Sequence, residues 1–104
     1  MQAVIFIADL PPGALDAAAQ FHAHWMPEVR RQLADATSIV VALPSAPYDH
    51  ADWRQAAARD LARMAAPVRV NLIGGGSETA RHAALAYLGD APGVTGQYLG
   101  LHGS

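Results

Sequence analysis

The chain contains no cysteine and no lysine, and only one asparagine, Asn71. Without cysteine there are no disulfides, no zinc–thiolate centres and no thiol nucleophile. Charge of either sign is scarce. Charged residues make up 15% of the chain, little for a small monomer that must solvate a large surface. That scarcity implies that part of the surface is covered by another chain. The seven basic residues are scattered arginines and the net charge is −2, so no nucleic-acid partner is expected. Long hydrophobic runs are missing too. The opening Ala3-Val4-Ile5-Phe6-Ile7-Ala8 is too short to span a bilayer and has no basic flank. It reads as a buried strand, so no membrane partner is expected and the chain is expected to be cytoplasmic.

What is present is largely apolar. Hydrophobic residues make up 52% of 104 residues, enough for the core of one domain, 1–104, and the chain is too short for two. Four apolar runs stand out: Ala3–Ala8, Ser38–Leu43, Val68–Ile73 and Val94–Leu101. Continuous runs of this length suit strands buried on both faces of a parallel sheet. Helical patterns separate them. Leu15, Ala18, His22, Trp25, Val29 and Leu33 recur at three- and four-residue steps as one helix face, with Pro27 expected to kink or split the helix near Met26. A second helix is expected to start at Asp52 as N-cap, with Trp53, Ala57, Leu61 and Met64 on its stripe. The third starts at Ser77 and ends at Gly89 or Gly93. Strands alternating with single helices predict an α/β fold built of consecutive β-α-β units.

Two segments resemble the closing part of the short-chain dehydrogenases/reductases. Pro67-Val68-Arg69-Val70-Asn71 is similar to that family's "P-x-x-x-V-N" strand. Asp90, Val94, Thr95, Gly96 and Gln97, followed by Leu99 and Gly103, match its closing "L-x-S-D-x-A-x-x-V-T-G-Q" and terminal Gly-Gly. Ala3–Ala8, the first helix and Ser38–Leu43 are similar to its fourth strand, fourth helix and fifth strand. The resemblance therefore implies a truncated Rossmann-like domain, the C-terminal half only. Its sheet would have four parallel strands in the order 1-2-3-4 and three helices. It also implies that the last helix lies on the opposite face from the others, whereas uniformly right-handed crossovers would put all three on one face.

The same resemblance defines what an active member needs. The family's "T-G-x-x-x-G-x-G" turn, which cradles the coenzyme pyrophosphate at a helix N-terminus, has no counterpart here. Its "N-N-A-G" is replaced by Ala8-Asp9-Leu10, and its substrate lid is reduced to Gly74-Gly75-Gly76. Its Tyr-x-x-x-Lys would set Tyr48 against Asp52 in a chain without lysine. The lysine holds the nicotinamide ribose and activates the tyrosine; an aspartate has the opposite electrostatic effect.

The residues themselves offer few sites. Ser45 and Tyr48 form the nearest approach to a catalytic pair, against a reading as loop and rim residues. Gly74, Gly75, Gly76 and Ser77, between a strand and a helix N-terminus, are candidates for an anion or cofactor phosphate, against a plain tight turn. Asp9 lies where open α/β sheets bind ligands, or begins the Asp-Leu-Pro-Pro-Gly turn. No metal is expected: His22 and His24 point to different sides of a helix, and His50, His82 and His102 share no spacing.

A sheet of this kind leaves surface to hide. The Ala3–Ala8 strand is expected at an edge, unprotected by Lys or Pro, and so as a template for another strand. The chain is therefore expected to form a homodimer or hetero-oligomer through that edge and its helix faces. The leading functional expectation is a non-catalytic short-chain-dehydrogenase-like module acting by oligomerisation, with no cofactor. A second is a divergent NAD(P)-dependent oxidoreductase, or its subunit, using NAD or NADP only with a partner chain. A third is a small-molecule binding module without chemistry.

Overall fold

Ser38–Leu43 carries Ile39-Val40-Val41, β-branched residues that favour extended backbone, and every residue of the run is buried. It forms β2, an inner strand. In the computed structural model, which describes residues 1–102, β2 is flanked by β1 (Gln2–Phe6) and β3 (Arg69–Gly75), and β3 by β4 (Tyr98–Leu101). All pairings are parallel and the order is β1-β2-β3-β4, as expected. Gly103, part of the family-like terminus, lies outside the described residues.

The connections are helical. The first is α1 (Ala14–Gln20), a π turn over Phe21–Trp25, and α2 (Met26–Gln32). The split falls at Met26, and Pro27 sits in the first turn of α2, where its missing amide leaves no bond unmade. The π turn adds a residue to one turn and rotates what precedes it. The core face is therefore Ala17, Phe21 and Val29, while Leu15 is 89% exposed and His22 points to solvent, which corrects the expected stripe. On α2, hydrogen bonds from Gln32 and Arg31 hold the half-buried Glu28 carboxyl below its usual range. The second connection is a 3-10 turn (Tyr48–His50) and α3 (Ala51–Ala65). Asp52 is not its N-cap: the helix continues from the preceding turn, begins at Ala51 and has His50 at the cap, two residues earlier. The third is α4 (Glu78–Gly89), where the Ser77 hydroxyl caps as expected, accepting from the Ala80 amide at 3.1 Å.

The two sheet faces are covered unequally. On one face, Ala3, Ile5, Ile39, Val41, Val70 and Leu72 pack under Phe21, Val29, Ala57, Ala58 and Leu61. On the other, Val40, Ala42 and Ile73 meet Ala84 and Leu88 of α4. The helix of the last crossover thus lies opposite the other two, although all three crossovers step the same way across the sheet. Its hand is therefore the reverse of theirs. With the first two right-handed, as nearly all such units are, the last is left-handed. One helix does not cover four strands. Val4 and Phe6 on β1 remain 47% and 58% exposed, so β1 is buried on one face only rather than on both.

β4 is shorter than the apolar run that predicted it. Val94–Gln97 is not strand but a loop fixed to β3 by side-chain and backbone hydrogen bonds. Asn71 Nδ2 donates to the Val94 carbonyl and its Oδ1 accepts from the Gln97 amide, both at 3.0 Å. The Thr95 hydroxyl accepts from the Val70 amide at 3.0 Å, and the Gly96 amide donates to the Val70 carbonyl at 2.8 Å. Gly96 has φ 77° and passes under α3, where an added Cβ would stand 3.3 Å from that of Ala62. Arg69 donates to the Leu88 and Ala91 carbonyls, closing the end of α4.

Replacing Asn71 by leucine keeps the volume and leaves the Val94 carbonyl and the Gln97 amide without partners. Asn71→Leu is expected to lower the unfolding free energy by about 2–4 kcal/mol in urea denaturation, and Thr95→Val by about 1 kcal/mol. Equal stability of wild type and Asn71→Leu would show that this loop holds itself.

Candidate functional site

The parallel strands all end on one side, where Pro44-Ser45 follows β2 and β3 closes with Gly74-Gly75, Gly76 lying just beyond it. There the structure opens two small cavities, of about 130 and 60 Å³. Ser45 and Arg54 line both. Gly74, Gly75 and Tyr98 line the larger, His50 and Pro12 the smaller.

Arg54 stands in the first turn of α3 and is 1% exposed. Its Nη1 donates to the Tyr98 hydroxyl at 3.2 Å, and its Nε has no partner. The ion pairs among the described residues, Arg31–Glu28 and Arg63–Asp60, lie elsewhere, so no carboxylate balances this charge. Its guanidinium carbon lies 5.4 Å from the centre of the Trp53 ring and 5.7 Å from that of Tyr98. Two such contacts give about 0.5–2 kcal/mol each. A charge-assisted hydrogen bond adds about 1.5–3 kcal/mol. Burying an ion costs several kcal/mol, the same order as these contacts together, so the charge brings no clear surplus of stability.

The turn is built around this side chain. A Cβ on Gly74 would fall 2.7 Å from Arg54 Nη1 and closer still to the Tyr98 hydroxyl, so a side chain there would push both groups aside. Gly75, at φ 67°, would set a Cβ 2.7 Å from the Ser45 hydroxyl. His50 ties the floor together. Its Nδ1 accepts from the Trp53 indole at 3.2 Å, which leaves Nε2 as the donor to the Pro12 carbonyl at 3.0 Å. Both ring nitrogens are engaged, and His50 is 2% exposed.

Of the residues singled out from sequence, Ser45, Gly74 and Gly75 come together here. Tyr48 does not: it is 93% exposed and lines neither cavity, as do Asp9 and Asp52, both exposed. Gly76 packs against Leu101, and Ser77 serves as the cap of α4. Arg54 and Tyr98 were not foreseen. The signal was the spacing Arg54, Ala58, Leu61, Ala65, an inward stripe as regular as the one through Trp53 and Met64. Met64 is 40% exposed, so the stripe through it was rotated from the true one. Among the described residues no group of three or more His, Asp or Glu could hold a metal ion. Among the described residues no helix is long and apolar enough to cross a membrane.

The sequential parallel order, the last helix on the opposite face and the Asn71-bound Val-Thr-Gly-Gln loop make one consistent pattern. A family model described as "SDR-like: Short chain dehydrogenase-like protein" matches residues 5–101. The chain belongs to that family. No curated protein and no solved structure gives a significant match. The family name raises the question of a nicotinamide coenzyme. Cavities of about 130 and 60 Å³ fall short of the roughly 300–1,000 Å³ that cofactor pockets occupy. The residues of this short-chain-dehydrogenase-like chain do not by themselves fit a dinucleotide.

The hydroxyl of Tyr98 is the one protein acceptor holding the Arg54 guanidinium. Tyr98→Phe is expected to lower the unfolding free energy by about 1–3 kcal/mol. For a domain of this size each kcal/mol shifts Tm by about 4–8 °C, well resolved by calorimetry. An unchanged Tm would mean that the hydroxyl does not hold the charge.

Proposed function

We propose that this chain is a short-chain-dehydrogenase-like module that works by assembly and performs no hydride transfer alone. Its partner along β1 is a second copy of the same chain. The observation that carries this reading is the outer edge of β1. The Ile7 amide donates to Ala42 of β2 at 2.8 Å, and the Met1 carbonyl accepts from Thr37 at 2.9 Å. Odd-numbered residues of β1 thus turn their backbone groups to β2. Because these groups alternate along a strand, those of Gln2, Val4 and Phe6 face outward. The exposed side chains of Val4 and Phe6 belong to the same residues. No charged side chain, proline or bulge within β1 guards the edge. Antiparallel pairing of two such edges about a two-fold axis closes a dimer, gives one eight-stranded sheet and places the open β1 faces side by side.

The alternative, an NAD(P)-dependent oxidoreductase completed by a partner chain, has less support. Tyr48 stands at the surface, and Asp52 follows it where the family pattern has lysine.

Light scattering at low micromolar concentration is expected to give twice the 10.9 kDa chain mass. Val4→Pro removes an amide that points away from β2, and Val4→Lys puts a charge on the exposed face. Both are expected to yield folded monomers by circular dichroism. A wild-type monomer, or variants that remain dimeric, would sink the proposal.

A further inference from the structure

We propose that the crevice between the start of α3 and the ends of β3 and β4 binds a small oxyanion group, a phosphate or a carboxylate, with Arg54 as its anchor. This does not rest on the assembly proposed above, which concerns the opposite edge of the sheet.

A guanidinium carries five donors in a planar fork and stays charged. Arg54 is 1% exposed, uses Nη1 on a neutral hydroxyl and leaves Nε without any partner. A buried cation held only by neutral groups and ring faces is short of an anion. The space for one adjoins it: the cavity of about 130 Å³ has Arg54 and Tyr98 on one wall and Ser45 on another, with the bare backbone of Gly74 and Gly75 between them. No aspartate or glutamate lines that cavity or its smaller neighbour, so nothing repels a negative group. The 15-residue α3 directs its positive end to the same place, because Arg54 lies in its first turn. Arg54 lines both cavities, and so the ligand's oxygens meet the guanidinium where it borders that space. The dimensions fit the charged end of a ligand. The rest of that ligand extends over the exposed Ser45-Ala46-Pro47 segment.

The test uses the full chain, labelled with nitrogen-15, titrated separately with inorganic phosphate and with acetate at constant ionic strength. The Arg54 Nε–H resonance is the readout. A saturable shift with a Kd in the millimolar range is expected for at least one anion. Phosphate alone would identify a phosphorylated ligand, and acetate alone a carboxylic acid. Ser45→Asp replaces an exposed residue and sets a carboxylate against the guanidinium. It is expected to raise Tm and weaken anion binding by roughly tenfold or more. Arg54→Met is expected to abolish binding. A response that rises linearly without saturating would overturn the proposal. So would saturable binding that Ser45→Asp leaves unchanged.

Discussion

A parallel sheet with strands in sequential order has two apolar faces, and crossovers of one hand cover only one of them. Everything in this molecule follows from how the second face is dealt with. The chain reverses the hand of its last crossover and sends α4 to the far side, where Ala84 and Leu88 cover Val40, Ala42 and Ile73. A reversed crossover is disfavoured, and the segment that makes it is the most heavily fastened in the chain. Arg69 closes the end of α4, Asn71 grips Val94 and Gln97, and Thr95 and Gly96 stand in for strand pairing against Val70. Arg69, Val70 and Asn71 are consecutive. One short stretch of β3 therefore positions the helix end, the loop and the edge strand that follows.

That arrangement explains why the family likeness was readable from two separated stretches. The Val-Asn strand and the Val-Thr-Gly-Gln loop are the two halves of one hydrogen-bonded unit, and neither has its polar groups satisfied without the other. A sequence pattern survives when it encodes a structural fastening, whether or not a reactive site remains beside it. The pattern therefore supports family and fold, while function has to be argued from the crevice and from the edge.

The strands buried on both faces were legible because such burial leaves continuous apolar runs, as in β2 and the middle of β3. Periodicity failed where local geometry departed from regular helix or strand. The π turn over Phe21–Trp25 shifted the inward face from Leu15 and His22 to Ala17 and Phe21. The Val94–Gln97 loop lies along β3 and reads as strand, but only the Gly96 amide and the Gln97 carbonyl make backbone bonds to it, the others coming from side chains. The strand-end position of Ser45, Gly74 and Gly75 was legible, since turns between strands and helices are marked by Pro and Gly. Arg54 was not, because an arginine in an alanine-rich helix reads as a surface charge until the tertiary packing turns it inward.

The three glycines at the end of β3 invite a reading as a phosphate loop, and their neighbours supply a simpler cause. Gly74 makes room for the Arg54 guanidinium and the Tyr98 ring, Gly75 for Ser45 and Gly76 for Leu101. Each lacks a side chain because another side chain already fills that place. The glycines therefore say nothing about a ligand on their own, and the case for one passes to the group they accommodate. Arg54 and Gly74 form a steric pair. A side chain at 74 would displace the guanidinium and the Tyr98 hydroxyl together. Retaining both keeps a buried, unneutralised charge at the mouth of the sheet. A chain selected for stability alone gains by replacing Arg54 with an apolar residue of similar length. The arginine's presence is thus better explained by what it holds than by what it adds to the core.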